Sequence, residues 1–295
     1  MVQKKVRLSC PLDCFDICSI IATVENERII KLEGDKNHPL TQGFICSKGK
    51  AHLNRAYHPD RILSPRKKYK DKWIDISYEE AIDEIAAKLD DIKKEYGPEA
   101  VLHFYDSGYG GLSKTVDKMF FNYYGGATNH TGSLCWGAGI EAQKIDFGGN
   151  QSHASEDLLN SKTIIIWGRN PADTNIHLMK YLNHAKKRGA YIYLIDPIRT
   201  NTAKIASDYI QINPSTDGAL ALGVGNYLIN EKLIDKDFIR NHVKGYEEYK
   251  EYVKDFTLSR VQEITGVAIE KIKKLASDYA DNKPASIIIG YGLQR

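Results

Sequence analysis

The hydrophobic positions change rhythm along the chain, and the changes mark its elements. Ile20-Ile21-Ala22-Thr23-Val24 and Arg28-Ile29-Ile30-Lys31-Leu32 read as two strands joined at Glu25-Asn26-Glu27, with Gly34 closing the second. Ser77, with Glu80 three residues on, predicts a capped amphipathic helix that runs to about Tyr96, where Gly97-Pro98 stops it. Residues 100–104 are predicted as a buried strand that leads into Gly108, Gly110 and Gly111. A glycine turn after a strand can admit a phosphate, but such turns are common everywhere. A second helix, about 114 to 124, ends at Gly125-Gly126.

From about Lys162 strand and helix alternate. Thr163-Ile164-Ile165-Ile166-Trp167 reads as a strand buried on both faces, followed by a helix from about Thr174 to Arg188. Strands at 191–195 and 209–212 follow, and Pro214-Ser215-Thr216-Asp217 opens a helix through Leu228. This is the pattern of a doubly wound α/β unit. Helices near 236–241, 246–255, 258–264 and 268–279 precede a last strand, 285–289, and a glycine turn at 290–295. The expected organisation is a small β-rich module at 1–60, an α/β domain at 61–134 resumed at 285–295, and the doubly wound domain at 135–284. A strand and glycine turn as the last features suggest an N-terminal portion of something longer.

With 295 residues, 42% of them hydrophobic, the chain can bury a real core. Its 41 basic and 38 acidic residues nearly cancel, so no overall field recommends nucleic acid or a membrane surface. The basic run at 66–72 is expected to be a solvated linker. Cys10 lies too close to Met1 for a signal peptide to precede it, which predicts a cytoplasmic protein. The longest aliphatic runs, 164–166 and 287–289, are far short of a membrane span.

Cysteine changes the picture most. Cys10, Cys14 and Cys18 stand at four-residue intervals, and Cys46 follows in Cys46-Ser47-Lys48-Gly49, so four of the five sulfurs fall in the first fifty residues. Thiolate-rich sites select zinc or iron-sulfur. Structural zinc usually takes short ligand pairs, whereas three thiolates on one loop and one far away suit a 4Fe-4S cluster. A disulfide framework is a third reading, in a chain with little cysteine and no mark of secretion. Farther on, ligands in doubly wound sheets sit past the carboxyl ends of the strands. Three such ends here offer Gly168 and Asn170, Asp196 and Thr200, and Thr216 and Asp217. Their carboxylates suit ribose hydroxyls or the amino edge of guanine, their amides a pyrophosphate, and no G-x-G-x-x-G is present. Asp196 and Asp217 could also simply cap turns.

The four-cysteine loop, Cys46-x-Lys48-Gly49, Gly132-Ser133-x-Cys135-x-Gly137-Ala138-Gly139, Gly168-x-Asn170-Pro171-Ala172-Asp173-Thr174, Asp196-Pro197-x-x-Thr200-x-Thr202-Ala203 and Pro214-x-Thr216-Asp217-x-Ala219-Leu220 occur in the order of the molybdopterin oxidoreductases. The chain resembles that family of molybdenum or tungsten bis-pterin guanine dinucleotide enzymes over its whole length. The resemblance implies an α/β fold whose doubly wound, mostly parallel sheet binds a pterin guanine dinucleotide. It implies a 4Fe-4S cluster on Cys10, Cys14, Cys18 and Cys46, with Lys48 between cluster and pterin as an aid to electron passage. Cys135 matches the protein ligand of molybdenum or tungsten. Gly168, Asn170, Asp173, Thr174, Asp196, Pro197, Thr200, Thr216 and Asp217 match guanine dinucleotide contacts. Two-electron chemistry on a small-molecule substrate would follow, by atom transfer or by hydride and proton abstraction. Partners would be the C-terminal remainder of the enzyme and an iron-sulfur or other electron-transfer protein, without nucleic acid or direct membrane insertion.

Two positions depart from the family. Ser215 stands where many members have glycine, and Trp136 follows Cys135 where formate dehydrogenases have histidine, which makes formate a poorer expectation. Other readings are a cluster-bearing scaffold subunit without molybdenum, an inactive fragment, or non-redox hydration as in acetylene hydratase relatives. The hydratases carry an aspartate after a cluster cysteine, and here Asp13 precedes Cys14.

Overall fold

The computed structural model describes residues 2–106, 108 and 112–293. Gly110 and Gly111 of the glycine turn lie outside the described residues, as do Gln294 and Arg295. The chain forms two compact units, residues 1–132 and 133–295.

The first unit opens with an antiparallel meander of β1 (Lys4–Ser9), β2 (Ser19–Glu25) and β3 (Arg28–Gly34). β2 and β3 are the two predicted strands. β1 has only Val6 and Leu8 as apolar positions and is held by pairing to β2 from Lys4 opposite Val24 to Ser9 opposite Ser19. Ile20 of β2 packs with Cys18 and Ile45 in a small core bordered by Cys10 and Leu32. Helix α1 (Ser47–Ala56) follows at once.

The basic run is not a linker. It forms an antiparallel hairpin of β4 (Arg66–Tyr69) and β5 (Lys72–Asp75), with Lys70 in the turn at φ 53°. Its charges pair across it and beyond it: Arg66 with Asp75 at 2.8 Å, Lys67 with Glu84 at 2.6 Å. Helix α2 (Tyr78–Tyr96) starts where predicted, the Glu80 N–H donating to Ser77 Oγ at 3.0 Å. The strand expected at 100–104 contracts to β6 (Leu102–His103), which pairs in parallel with β7 (Thr128–Asn129) across helix α3 (Val116–Tyr124). Leu102 and Phe104 are exposed, and only His103 of these three is buried.

The second unit begins with helix α4 (Gly137–Phe147) and centres on four parallel strands. These are β8 (Thr163–Trp167), β9 (Tyr191–Ile195), β10 (Asp208–Ile210) and β11 (Ala285–Ile289), in spatial order β10-β9-β8-β11. Between them run α5 (Pro171–Thr174), α6 (Leu178–Lys187), α7 (Asp217–Asn230), α8 (Lys236–His242), α9 (Tyr246–Tyr252), α10 (Leu258–Thr265) and α11 (Ile269–Asp281).

Strand alternation builds two cores. Ile164, Ile166, Ile192 and Leu194 face Leu178 and Leu182 of α6; Ile165, Trp167, Tyr193 and Ile195 face Leu220, Val261, Ile272 and Leu275 of α7, α10 and α11. Each fully buried aliphatic side chain contributes about 1.5–3 kcal/mol. Helices thus cover both faces of a parallel sheet, as the alternation of apolar runs requires.

β11 corrects one expected boundary. It does not resume the α/β part at 61–134; it pairs with β8 from Ala285 opposite Thr163 to Ile289 opposite Trp167. The strand order therefore reverses at β8, with β9 and β10 on one side and β11 on the other. That reversal is a topological switch point, where such sheets leave a crevice beyond their carboxyl ends.

Candidate functional site

In the first unit the cysteine loop folds back on itself. The Cys10 N–H donates to the Cys18 carbonyl at 2.8 Å, and the Cys14 N–H donates to the Leu12 carbonyl at 2.9 Å. Ile17 turns the chain at φ 40°. Cys46 arrives as the cap of α1, its sulfur accepting the Gly49 N–H at 3.4 Å. Gly34 lets the neighbouring loop close: a Cβ there would lie 2.1 Å from the Gly43 carbonyl oxygen.

All five cysteines are free thiols, so the disulfide reading fails. Cys18 and Cys14 both feel the charge of neighbouring groups. Burial pushes the Cys18 thiol up to about 12, with Asp16 and then Cys10, Cys14 and Cys46 adding to it. Burial also pushes Cys14 upward, while Asp16 pulls it down through its N–H and pushes it up through its carboxylate. Thiols that are costly to ionise one by one gain from a cation shared among them. Among the described residues, no three of His, Cys, Asp and Glu form a single-ion site. The all-sulfur donor set fits an iron-sulfur cluster. Lys48 stands exposed on the first turn of α1, two residues after Cys46.

In the second unit the strand-end residues come together at the switch point. Gly168 leaves β8 at φ 57°. Asn170 and Asp173 are tied to the next strand's turn: Thr202 Oγ1 donates to Asn170 Oδ1 at 2.8 Å, and Asn201 Nδ2 reaches Asp173 Oδ1 at 3.0 Å. Asn170 Nδ2 also donates to Asp173 Oδ2 at 2.7 Å, and Thr174 Oγ1 to the Asn170 carbonyl at 2.8 Å. These side chains shape the cradle as much as they line it. Neither Asn201 nor the buried Thr202 was among the predicted contacts, although Thr202 lay inside the quoted motif.

Asp196 is buried after β9, where its Oδ1 accepts the Ile198 N–H at 3.0 Å. Burial pushes its carboxyl upward, the Ile198 N–H opposes this, and the nearby Asp217 pushes it further. Asp217 is anchored from the adjoining strand by Trp167 Nε1 at 2.8 Å. The Pro197 carbonyl accepts from Gln211 Nε2 at 3.2 Å, and Thr216 Oγ1 donates to the Asn213 carbonyl at 2.7 Å. Ser215 holds φ 65°, the left-handed conformation for which glycine is the usual choice.

One observation tests whether a polar ligand fits. Thr200 Oγ1 is buried and has no hydrogen-bond partner among the described residues. Such an atom costs about 1–3 kcal/mol unless something bonds to it. This hydroxyl, the positive-φ Gly168 and the two close carboxylates Asp196 and Asp217 make this end of the sheet polar.

Cys135 lies at the same end of this unit. Its N–H donates to Ser133 Oγ at 3.1 Å just ahead of α4. Trp136 beside it packs edge-on against Tyr291, ring centroids 6.1 Å apart. Tyr291 belongs to the turn after β11 in which the Gly290 N–H donates to the Trp167 carbonyl at 3.0 Å and the Gly292 N–H to the Gly168 carbonyl at 3.3 Å.

Residues 3–58 match the molybdopterin oxidoreductase Fe4S4 domain, and residues 61–295 match the molybdopterin oxidoreductase model. The chain belongs to the molybdopterin oxidoreductase family. It is 44% identical to the probable oxidoreductase YyaE of Bacillus subtilis over 100% of this chain and 44% of that protein. It is 31% identical to formate dehydrogenase H of Escherichia coli, over 99% of this chain and 42% of that one. The solved structure of acetylene hydratase from Pelobacter acetylenicus superposes with a TM-score of 0.77 and 29% identity, covering 99% of this chain and 41% of its own. The chain thus spans about two fifths of the length of these relatives. Among the described residues no helix is long and apolar enough to cross a membrane.

Proposed function

We propose that this chain is the cluster-bearing and nucleotide-binding part of a molybdenum- or tungsten-dependent oxidoreductase that performs two-electron chemistry on a small molecule. The observation that carries the reading is a set of four soft donors, Cys10, Cys14, Cys18 and Cys46, held by one folded-back loop and one helix cap. The family's 4Fe-4S cluster moves electrons one at a time, and its pterin-bound metal supplies the substrate chemistry. Cys10, Cys14, Cys18 and Cys46 would hold the former. Lys48, close to Cys46, offers a cation at its edge.

Thr200, Asp196, Asp217 and the Gly168 turn would seat the guanine dinucleotide, with Asn170, Asp173, Thr174, Pro197 and Thr216 fixing the turns. Cys135 is proposed as the metal's protein ligand. Its loop stands at the switch point, beside the turn that closes over Gly168. Substrate binding, the remaining ligation and contact with an electron-transfer partner fall to the rest of the enzyme. A scaffold role without molybdenum leaves Cys135 unused.

Anaerobic reconstitution of the chain with ferrous iron and sulfide is expected to yield about four irons per chain and a 4Fe-4S electron paramagnetic resonance signal on reduction. Uptake of a single tetrathiolate metal in its place refutes the cluster. In the full-length enzyme, Cys135→Ala is expected to keep the iron and lose turnover. Retained turnover removes Cys135 from the ligand role, and iron without molybdenum or tungsten in the native enzyme supports the scaffold.

A further inference from the structure

Three of the four amino-terminal sulfurs carry a polar neighbour of their own, and the neighbours differ in sign. Cys46 accepts the Gly49 N–H at 3.4 Å, and Cys10 Sγ lies 3.7 Å from His52 Nε2 on α1. Cys14 Sγ lies 3.5 Å from Asp16 Oδ2. An N–H aimed at sulfur favours negative charge there, and a carboxylate opposes it.

As a thiol, Cys14 donates its proton to Asp16. As a metal-bound thiolate it has none to give, and two anions then face each other across a half-buried loop. Reduction of a 4Fe-4S cluster takes one electron from a low-potential one-electron donor. No bond is made or broken, and the site becomes more negative by one charge. A nearby fixed carboxylate makes that electron harder to accept, because the repulsion grows with the charge on the cluster. The peptide N–H groups act in the opposite sense. Asp16 also influences Cys18 from the same position, so its charge is felt at two of the four ligands.

Resting on the cluster reading above, we propose that Asp16 is a potential-setting residue whose carboxylate lowers the midpoint potential of the 4Fe-4S cluster and favours release of its electron. The residue is absent from the sequence-predicted site because it is neither a ligand nor part of a recognised spacing. Only the fold of the loop turns it toward Cys14.

The test is a redox titration of the reconstituted 295-residue chain, followed by electron paramagnetic resonance at one fixed pH. Asp16→Asn keeps the shape and removes the charge, and Asp16→Ser removes both. Asp13, exposed on the same loop, supplies the control Asp13→Asn. Both Asp16 variants are expected to keep the iron and sulfide content and shift the midpoint to more positive potential. Asp13→Asn, whose charge is screened by solvent, is expected to shift it by less than half as much. An unchanged or more negative midpoint in the Asp16 variants overturns the proposal, as does an equal shift in Asp13→Asn. Loss of the cluster from both Asp16 variants, with the unmodified chain still loading, overturns it too and makes Asp16 part of the loop's structure. Failure of the unmodified chain to take up four irons strikes the cluster reading itself.

Discussion

Replacement of Gly290 by alanine tests whether the turn after β11 shapes the crevice. A Cβ at this position would lie 2.2 Å from the Gly168 carbonyl oxygen, 2.6 Å from Arg169 Cβ and 2.8 Å from Arg169 Cα. Two of those atoms are backbone, so no side chain can swing aside. Relief to ordinary contact distances of roughly 3.5 Å requires one turn to move by about 1 Å. Such overpacking costs about 1–3 kcal/mol, which in a unit of this size lowers the melting midpoint by roughly 2–12 °C. The control is Gly218→Ala on α7, where an added Cβ meets nothing within 4 Å. Alanine there should stabilise the unit by up to about 1 kcal/mol through helix propensity. Thermal unfolding read from tryptophan fluorescence in a Trp73→Phe background, which leaves Trp136 and the buried Trp167, reports on the second unit. Because the displaced atoms belong to Gly168 and Arg169, Gly290→Ala should also weaken binding of guanosine diphosphate by about tenfold, or ~1.4 kcal/mol. A midpoint that is unchanged or raised as in Gly218→Ala refutes the steric reasoning. Lowered stability with unaltered nucleotide affinity refutes the link from this turn to the crevice.

Three further outcomes follow from single residues. Cys46→Ser should leave α1 folded, because serine can still accept the Gly49 N–H, while removing one soft donor; far-ultraviolet circular dichroism should hold as the 4Fe-4S signal is lost. Leu182→Ala, at a site with 0% exposure on α6, should cost about 2–5 kcal/mol in urea unfolding, and a loss under 1 kcal/mol on the order of a surface change contradicts the packing described. Asp35 is held below the usual carboxylate range by the Asn37 N–H, against burial, with help from the Ser19 hydroxyl and Arg7. A depressed folded-state value stabilises the fold above the unfolded carboxyl's pKa and is lost as pH falls through the folded one. The meander of the first unit should therefore weaken below about pH 4, and Asp35→Asn should flatten that limb of the pH titration.

Much of this architecture could be read from spacing because local signals and tertiary packing agree. Ser77 and Glu80 mark a helix start that needs no partner from elsewhere, and the alternation in 163–167 and 191–195 serves both faces of a parallel sheet. What stayed hidden depends on pairing that leaves little apolar trace. β1 is exposed at five of its six positions and is held by backbone bonds to β2; the 66–75 hairpin is a charged ribbon whose sequence reads as loop. Asp16 and His52 matter through contacts to sulfur that a list of ligands does not include.

β11 shows where sequence pattern runs out in a way that bears on function. Residues 164–166 and 287–289 are the same isoleucine triplet, yet β8 is buried throughout while Ile287 of β11 is 48% exposed. Composition cannot tell which edge such a strand joins. Had it extended the sheet beyond β10, the order would run one way and leave no reversal at β8. Joining β8 on its free side creates the switch point, brings Gly290 against Gly168, and carries Tyr291 to Trp136 beside Cys135. The juxtaposition of the proposed metal ligand with the nucleotide seat thus depends on one strand's choice of neighbour, and a change that uncouples β11 from β8 should scatter both without touching a residue of either.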